Sequence, residues 1–78
     1  MTKDTSTAAL VRELRARLGL TQEKMAARLG VTFPTINRWE NGRAKPSPLA
    51  LKQIEDLLIH LGDNGQDLRA KYFTKEGI

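Results

Sequence analysis

At 78 residues the chain holds material for one small domain, whose single core is marginal unless capping, packing or a partner subunit supports it. The absence of cysteine excludes a disulfide framework and a thiolate metal site. Thirteen Lys and Arg against nine Asp and Glu leave a net charge of +4 and a pI near 9.9, a moderate basic excess shared by nucleic-acid binders and by many unrelated small proteins.

Glycines punctuate the chain. Gly19, Gly30, Gly42, Gly62 and Gly77 each follow a segment of helical character, which predicts five helices. The first runs from about Thr7 to Leu18, with Leu10, Val11, Leu14 and Leu18 inward and Arg12, Glu13 and Arg17 outward. The second starts at Gln22, where Met25, Ala26 and Leu29 at i, i+1 and i+4 build one apolar stripe. Gly30 stops it in a left-handed conformation free of a Cβ penalty. Val31 then acts as an apolar plug, and the small Ala26 suits a steep, close crossing of two helices.

The third helix carries Ile36 and Trp39 on its inner face. Pro34 is tolerated in a first turn but disfavours helical geometry at Phe33, so either Thr32 caps the helix or Phe33 is its boundary. Thr32 is the preferred cap. A basic loop, Arg43-Ala44-Lys45-Pro46, follows. Ser47 and Pro48 open a fourth helix, Ser as cap and Pro at the first position, with Leu51, Ile54, Leu58 and Leu61 on its buried face. Asp63 or Asn64 caps a fifth helix carrying Leu68, Tyr72 and Phe73. The organisation is one domain over 1–78, with a core of about 7–61 and a C-terminal helical tail of about 63–77.

Charge is divided along the chain. From Thr32 to Lys52 stand Arg38, Arg43, Lys45 and Lys52 against Glu40 alone, whereas from Gln53 to Asp67 stand Glu55, Asp56, Asp63 and Asp67 without Lys or Arg. One part is basic and another acidic, as expected if a single face meets phosphate. No apolar run approaches membrane-spanning length and MTKDTSTAAL is not a signal peptide, so the chain reads as intracellular, soluble and without a membrane partner.

Two short helices around a fixed turn, over Gln22 to Asn41, describe a helix-turn-helix, the motif that sets its second helix in the DNA major groove. The run LGLTQEKMAARLGVTFPTINRWENGRAKPS resembles the phage repressor and Cro class of these domains (the XRE-type family), over about Leu10 to Leu61. The resemblance implies an all-α fold, a compact four- to five-helix, lambda-repressor-like bundle with the helix-turn-helix at helices 2 and 3. It implies a dimer on a two-fold operator, each subunit inserting its third helix into a major groove.

Residue by residue, the resemblance gives Thr32, Phe33, Pro34, Asn37 and Arg38 to the groove, and Gln22, Thr35, Asn41, Arg43 and Lys45 to backbone phosphates. It makes Arg15 and Glu40 a structural ion pair between the first helix and the end of the third. Periodicity agrees independently: with Ile36 and Trp39 inward, positions 34, 37, 38 and 41 fall on the opposite face. Arg38 can grip guanine O6 and N7 with two bonds, Asn37 can pair similarly with adenine, and Phe33 offers an apolar surface to a thymine methyl. Many relatives carry polar residues where this chain has Phe33-Pro34, which shifts polar readout to Asn37 and Arg38.

Other readings of these residues are weaker. Trp39 could stack on single-stranded nucleic acid, but its helical spacing with Ile36 makes it core. His60 stands alone, which gives no metal site. Glu55 and Asp56 diverge by about 100° on a helix and cannot act as a paired acid and base. Ser6, Ser47 and the threonines sit at helix starts as caps. No catalytic constellation, phosphate-cradling glycine loop or cofactor site is evident, so an enzyme is not expected.

The reading is a sequence-specific, double-stranded DNA-binding transcriptional regulator, a homodimer with half-sites about one helical turn apart, repressing by occupancy. The resemblance places it in the cytoplasm of a bacterial or phage-type setting, associated with the nucleoid when bound. Leu57, Leu61, Leu68, Tyr72 and Phe73 either close the core or form a dimer or partner surface. Two alternatives keep the fold: an antitoxin whose tail binds a protein toxin, or a DNA-targeting subunit of a larger assembly.

Overall fold

The computed structural model describes residues 6–73, which form five helices: α1 Thr7–Leu18, α2 Gln22–Leu29, α3 Phe33–Glu40, α4 Pro48–His60 and α5 Asp63–Tyr72. Among the described residues no strand occurs, and the fold is all-α. The first four helices open on a hydroxyl cap. Ser6, Thr21, Thr32 and Ser47 have extended backbones, and each side-chain oxygen accepts from the N–H three residues on, at Ala9, Lys24, Thr35 and Ala50. Each such cap contributes about 1 kcal/mol, a substantial share for a chain this small.

The fifth helix differs from the expectation that Asp63 or Asn64 caps it. Gly62 holds the cap position with φ 63° and no side-chain hydrogen bond. The link from α4 is too tight for an Asx cap, because the preceding turn already uses the free N–H groups: Asn64 donates to the Leu61 carbonyl at 3.2 Å and Gly65 to the Gly62 carbonyl at 3.0 Å. Of the tail expected over 63–77, the residues beyond 73, Gly77 among them, lie outside the described residues.

One core joins all five helices. Leu10, Val11, Leu14, Met25, Ile36, Ile54 and Leu58 are fully buried, and Ala26, Leu29, Trp39, Ala50 and Leu68 close around them. Burying a large aliphatic side chain contributes roughly 1.5–3 kcal/mol, so a handful of these carries most of the fold's hydrophobic stabilisation. α3 packs on α2 and α1, and α5 packs on α4 and α1. Trp39 is core, at 5% exposure, as its spacing requires.

Gly65 decides how closely α5 approaches α4. It is buried, and a Cβ built there would fall on the Leu58 carbonyl oxygen. The crossing therefore needs a residue without a side chain. On the exposed side Arg17 ties α1 to α5: it donates to both Asp67 carboxylate oxygens at 2.6 and 3.0 Å and to the Asn64 carbonyl at 2.8 Å. These hydrogen bonds hold the Asp67 carboxyl below the usual carboxylate range and raise the Arg17 guanidinium. Arg17 is outward as its position on α1 demands, yet it is not simply solvated.

Candidate nucleic-acid interface

α2 and α3 are separated by Gly30, Val31 and Thr32. Gly30 takes φ 73°, which lets its N–H reach the Ala27 carbonyl and the Val31 N–H reach the Ala26 carbonyl at 2.9 Å. That paired closure is the Schellman arrangement, and it sets the exit direction of the chain from α2. Val31 packs half-buried against the core, and Thr32 caps α3 at once. The turn thus carries its angle in backbone hydrogen bonds and one apolar plug.

Two sides of α3 differ sharply. Ile36, Trp39 and Glu40 are buried; Phe33, Pro34, Arg38 and Asn41 are exposed, and Thr35 and Asn37 lie half-buried between. Thr32 is the cap and Phe33 the first helical residue, so proline at the second position is accommodated without displacing the helix start. Phe33 is 45% exposed, a large apolar surface at the outer end of the helix. The Thr32 and Thr35 hydroxyls share a hydrogen bond at 2.9 Å, and Arg38 Nη2 donates to Thr35 Oγ1 at 3.4 Å, drawing the guanidinium back along the helix.

Behind this face lies a buried charge. Glu40, 5% exposed, is gripped by α1. Arg15 Nε donates to its Oε2 at 2.6 Å and Arg15 Nη2 to its Oε1 at 3.0 Å, a two-bond fork, while Arg15 Nη1 holds the Leu20 carbonyl at 3.1 Å. Arg12, one turn earlier, donates from Nη1 to the Glu40 backbone carbonyl at 2.7 Å and so caps the end of α3. Burial alone would push the Glu40 carboxyl up, but the hydrogen bonds from Arg15 and Gln22 and the charges of Arg15 and Arg12 outweigh it and hold the group below its ordinary range. The same hydrogen bond raises the Arg15 guanidinium.

The pairing of Glu40 also changes the charge reading of the basic stretch. With that carboxylate turned inside, Arg38, Arg43, Lys45 and Lys52 are all exposed, and every charged side chain that the stretch from Thr32 to Lys52 presents to solvent is positive. Arg43 and Lys45 stand directly after α3, on the loop leading to α4.

Gln22, Asn37 and Asn41 are linked to one another within the protein. Gln22 points inward: its Nε2 donates to Glu40 Oε1 at 3.0 Å and its Oε1 accepts from Asn37 Nδ2 at 3.4 Å. Asn41 Nδ2 donates to Asn37 Oδ1 at 3.0 Å. Sequence reasoning missed these links and the Arg12 contact; the signal for Arg12 was its three-residue spacing from Arg15, which puts both on one side of α1.

The apolar residues considered for a partner surface are mostly spent on the core. Leu68 is 4% exposed, and Leu57, Leu61, Tyr72 and Phe73 pack part-buried against the same cluster. Among the described residues the exposed large apolar side chains are Phe33, Leu49 at 71% and Ile59 at 50%. Among the described residues no group of three His, Cys, Asp or Glu side chains could hold a metal ion, and no helix is long and apolar enough to cross a membrane.

A family model described as helix-turn-helix matches residues 11–59, from the middle of α1 to the end of α4. The chain belongs to the helix-turn-helix family, in the repressor and Cro (XRE) class. Among relatives of this helix-turn-helix chain, an uncharacterized HTH-type transcriptional regulator of Methanothermobacter thermautotrophicus is 46% identical over 59 residues, 64% of this chain and 86% of that protein. A second uncharacterized HTH-type transcriptional regulator, from Archaeoglobus fulgidus, is 44% identical over 57 residues, 63% of this chain and 81% of that one. The Type II methyltransferase M.SsoII of Shigella sonnei is 42% identical over 52 residues, 63% of this chain but only 14% of the methyltransferase. No solved structure matches the chain.

Proposed function

We propose that this chain is a double-stranded DNA-binding transcriptional regulator that reads the major groove with α3. The observation that carries the reading is the contrast across that helix: a face with Phe33 and Arg38 exposed and Asn37 half-buried between them, backed by a buried Glu40 that Arg12 and Arg15 lock to α1. A rigid helix with exposed polar and apolar side chains, flanked by exposed cations, has the parts that base readout and phosphate attraction require. The 46% and 44% identity to two HTH-type transcriptional regulators, over 86% and 81% of those proteins, supports the same role.

In this reading Arg38 takes guanine through O6 and N7, Asn37 takes adenine, and Phe33 with Pro34 meets a thymine methyl. Arg43 and Lys45 neutralise phosphates, with Thr35 and Asn41 adding polar contacts at the edge of the groove. The five helices act as one domain, a homodimer places two copies of α3 about one helical turn apart, and occupancy of the site blocks transcription. No chemical step is assigned to the chain.

A second reading makes the same unit the DNA-targeting part of a larger assembly. The match to a segment filling 14% of a methyltransferase supports it, since there the unit is a small portion of a longer protein. Fluorescence anisotropy on the DNA upstream of the chain's own gene, against a scrambled duplex and across salt, tests both. Preference for the upstream duplex at physiological salt, lost in Arg38→Ala, is the result expected of a self-sufficient regulator. Equal, salt-labile binding to both duplexes overturns it in favour of the second reading.

A further inference from the structure

The Glu40 carboxylate accepts hydrogen bonds and cannot donate. Gln22 therefore turns its Nε2 toward it, at 3.0 Å, which leaves Gln22 Oε1 facing α3. That oxygen can only accept, and it takes Asn37 Nδ2 at 3.4 Å. The Asn37 oxygen is then left to accept from Asn41 Nδ2, at 3.0 Å. One buried charge thus fixes the donor direction of three successive amides, running from the α1–α3 junction to the exposed side of α3.

We propose that Gln22 is a positioning residue for base recognition: through this relay it holds the Asn37 amide in one of its two orientations and so sets which base edge Asn37 accepts. The inference rests on the reading of α3 as the groove-facing helix, and it gives Gln22 a different role from the phosphate contact implied by the family resemblance.

The physical reason is the near symmetry of a carboxamide. Rotation by 180° about its terminal bond exchanges a donor for an acceptor at almost no steric cost. Adenine offers its N6 donor and N7 acceptor in a fixed order, so an asparagine free to reverse matches either order and discriminates poorly. In the relay one Asn37 N–H is committed to Gln22 and one lone pair to Asn41, and the remaining N–H and lone pair keep a single order. Gln22 and Asn37 are both half-buried, which keeps the bonds between them partly shielded from water.

Two substitutions separate positioning from a phosphate contact. Gln22→Leu removes both bonds of the relay at that position, while Glu40 keeps both bonds from Arg15. Gln22→Glu also loses the donor that anchors position 22 to Glu40 and sets a second negative charge beside that carboxylate and near the DNA. Binding to a library of duplexes, each differing from the preferred site at one base pair, gives a preference profile for each variant. Thermal melts verify that each is folded.

Gln22→Leu is expected to lose about tenfold preference at a single base pair, the scale of one good side-chain pairing, with the other positions unchanged. Asn37→Ala loses preference at the same base pair, and the double variant loses nothing further there. Gln22→Glu loses the same preference and in addition binds all duplexes more weakly. A uniform loss in Gln22→Leu with an unaltered profile overturns the proposal and makes Gln22 a phosphate contact. In the free protein, the side-chain NH2 resonances of Asn37 should move in Gln22→Leu; unchanged resonances in that variant overturn the relay without reference to DNA. If the unmodified chain shows no preference among duplexes, the functional reading itself fails, and the amide resonances decide the relay separately.

Discussion

Arg15 and Glu40 stand 25 positions apart in the chain, and their side chains meet in a fork whose shorter bond is 2.6 Å. One lies on α1 and the other ends α3, so the fork, with the Arg12 bond to the Glu40 carbonyl, makes α1 the fixed support of the exposed helix. Glu40→Gln should therefore cost stability before it costs recognition. Breaking a buried pair costs about 3–5 kcal/mol, and because Arg15 keeps 27% side-chain exposure about 2–3 kcal/mol is expected here, read as a lower urea midpoint with an unchanged slope.

The pH dependence follows from the same group. The folded-state pKa of Glu40 is depressed, so the folded chain binds its proton less readily than the unfolded chain. The resulting stability is fully present above the unfolded value, about 4.3, and drains away as pH falls through the folded value. Urea unfolding between pH 7 and pH 3 should show a flat region and then a decline beginning near pH 4.5. Asp67 is depressed too and adds in the same direction, so the Glu40 share is the difference between the parent chain and Glu40→Gln. An identical decline in both would remove Glu40 as a source.

Arg38 and Lys45 are both exposed cations, yet they should fail differently. Arg38→Ala should weaken binding to the preferred duplex by about 1–3 kcal/mol relative to a random one, with melting unchanged. Lys45→Ala should weaken both about equally and reduce the slope of log affinity against log salt by about one. Anisotropy titrations at several salt concentrations measure both quantities. A selective loss in Lys45→Ala, or an unfolded Arg38→Ala, would reverse the assignment.

Gly65→Ala sets two effects against each other. Alanine gains up to about 1 kcal/mol in helix propensity, but its Cβ meets the Leu58 backbone, and overpacking of a tight crossing costs about 1–3 kcal/mol. Because the obstacle is backbone and cannot rotate away, destabilisation should win, lowering the melting temperature. A rise in melting temperature would show that α4 and α5 separate freely.

Much of this protein was legible in its residues taken alone. Apolar spacing at Leu10, Val11 and Leu14, at Met25, Ala26 and Leu29, and at Ile36 and Trp39 reports burial directly, because helical period ties sequence position to helix face. Hydroxyl residues before the first four helices and the glycine at position 30 mark ends, since caps and left-handed stops are local chemistry. The resemblance added the Arg15 and Glu40 pairing, which no local rule contains. What only the tertiary structure decided is contact between distant segments. The start of α5 depended on how tightly the chain turns out of α4, and Gly65 mattered only once Leu58 lay against it. Leu68 and Tyr72 turned to the core because α1 and α4 offered apolar surface there, and Gln22 turned inward because folding brought a buried carboxylate within 3.0 Å of it. Side-chain direction in such places is set by partners that folding assembles, and sequence order does not encode which partners will be near.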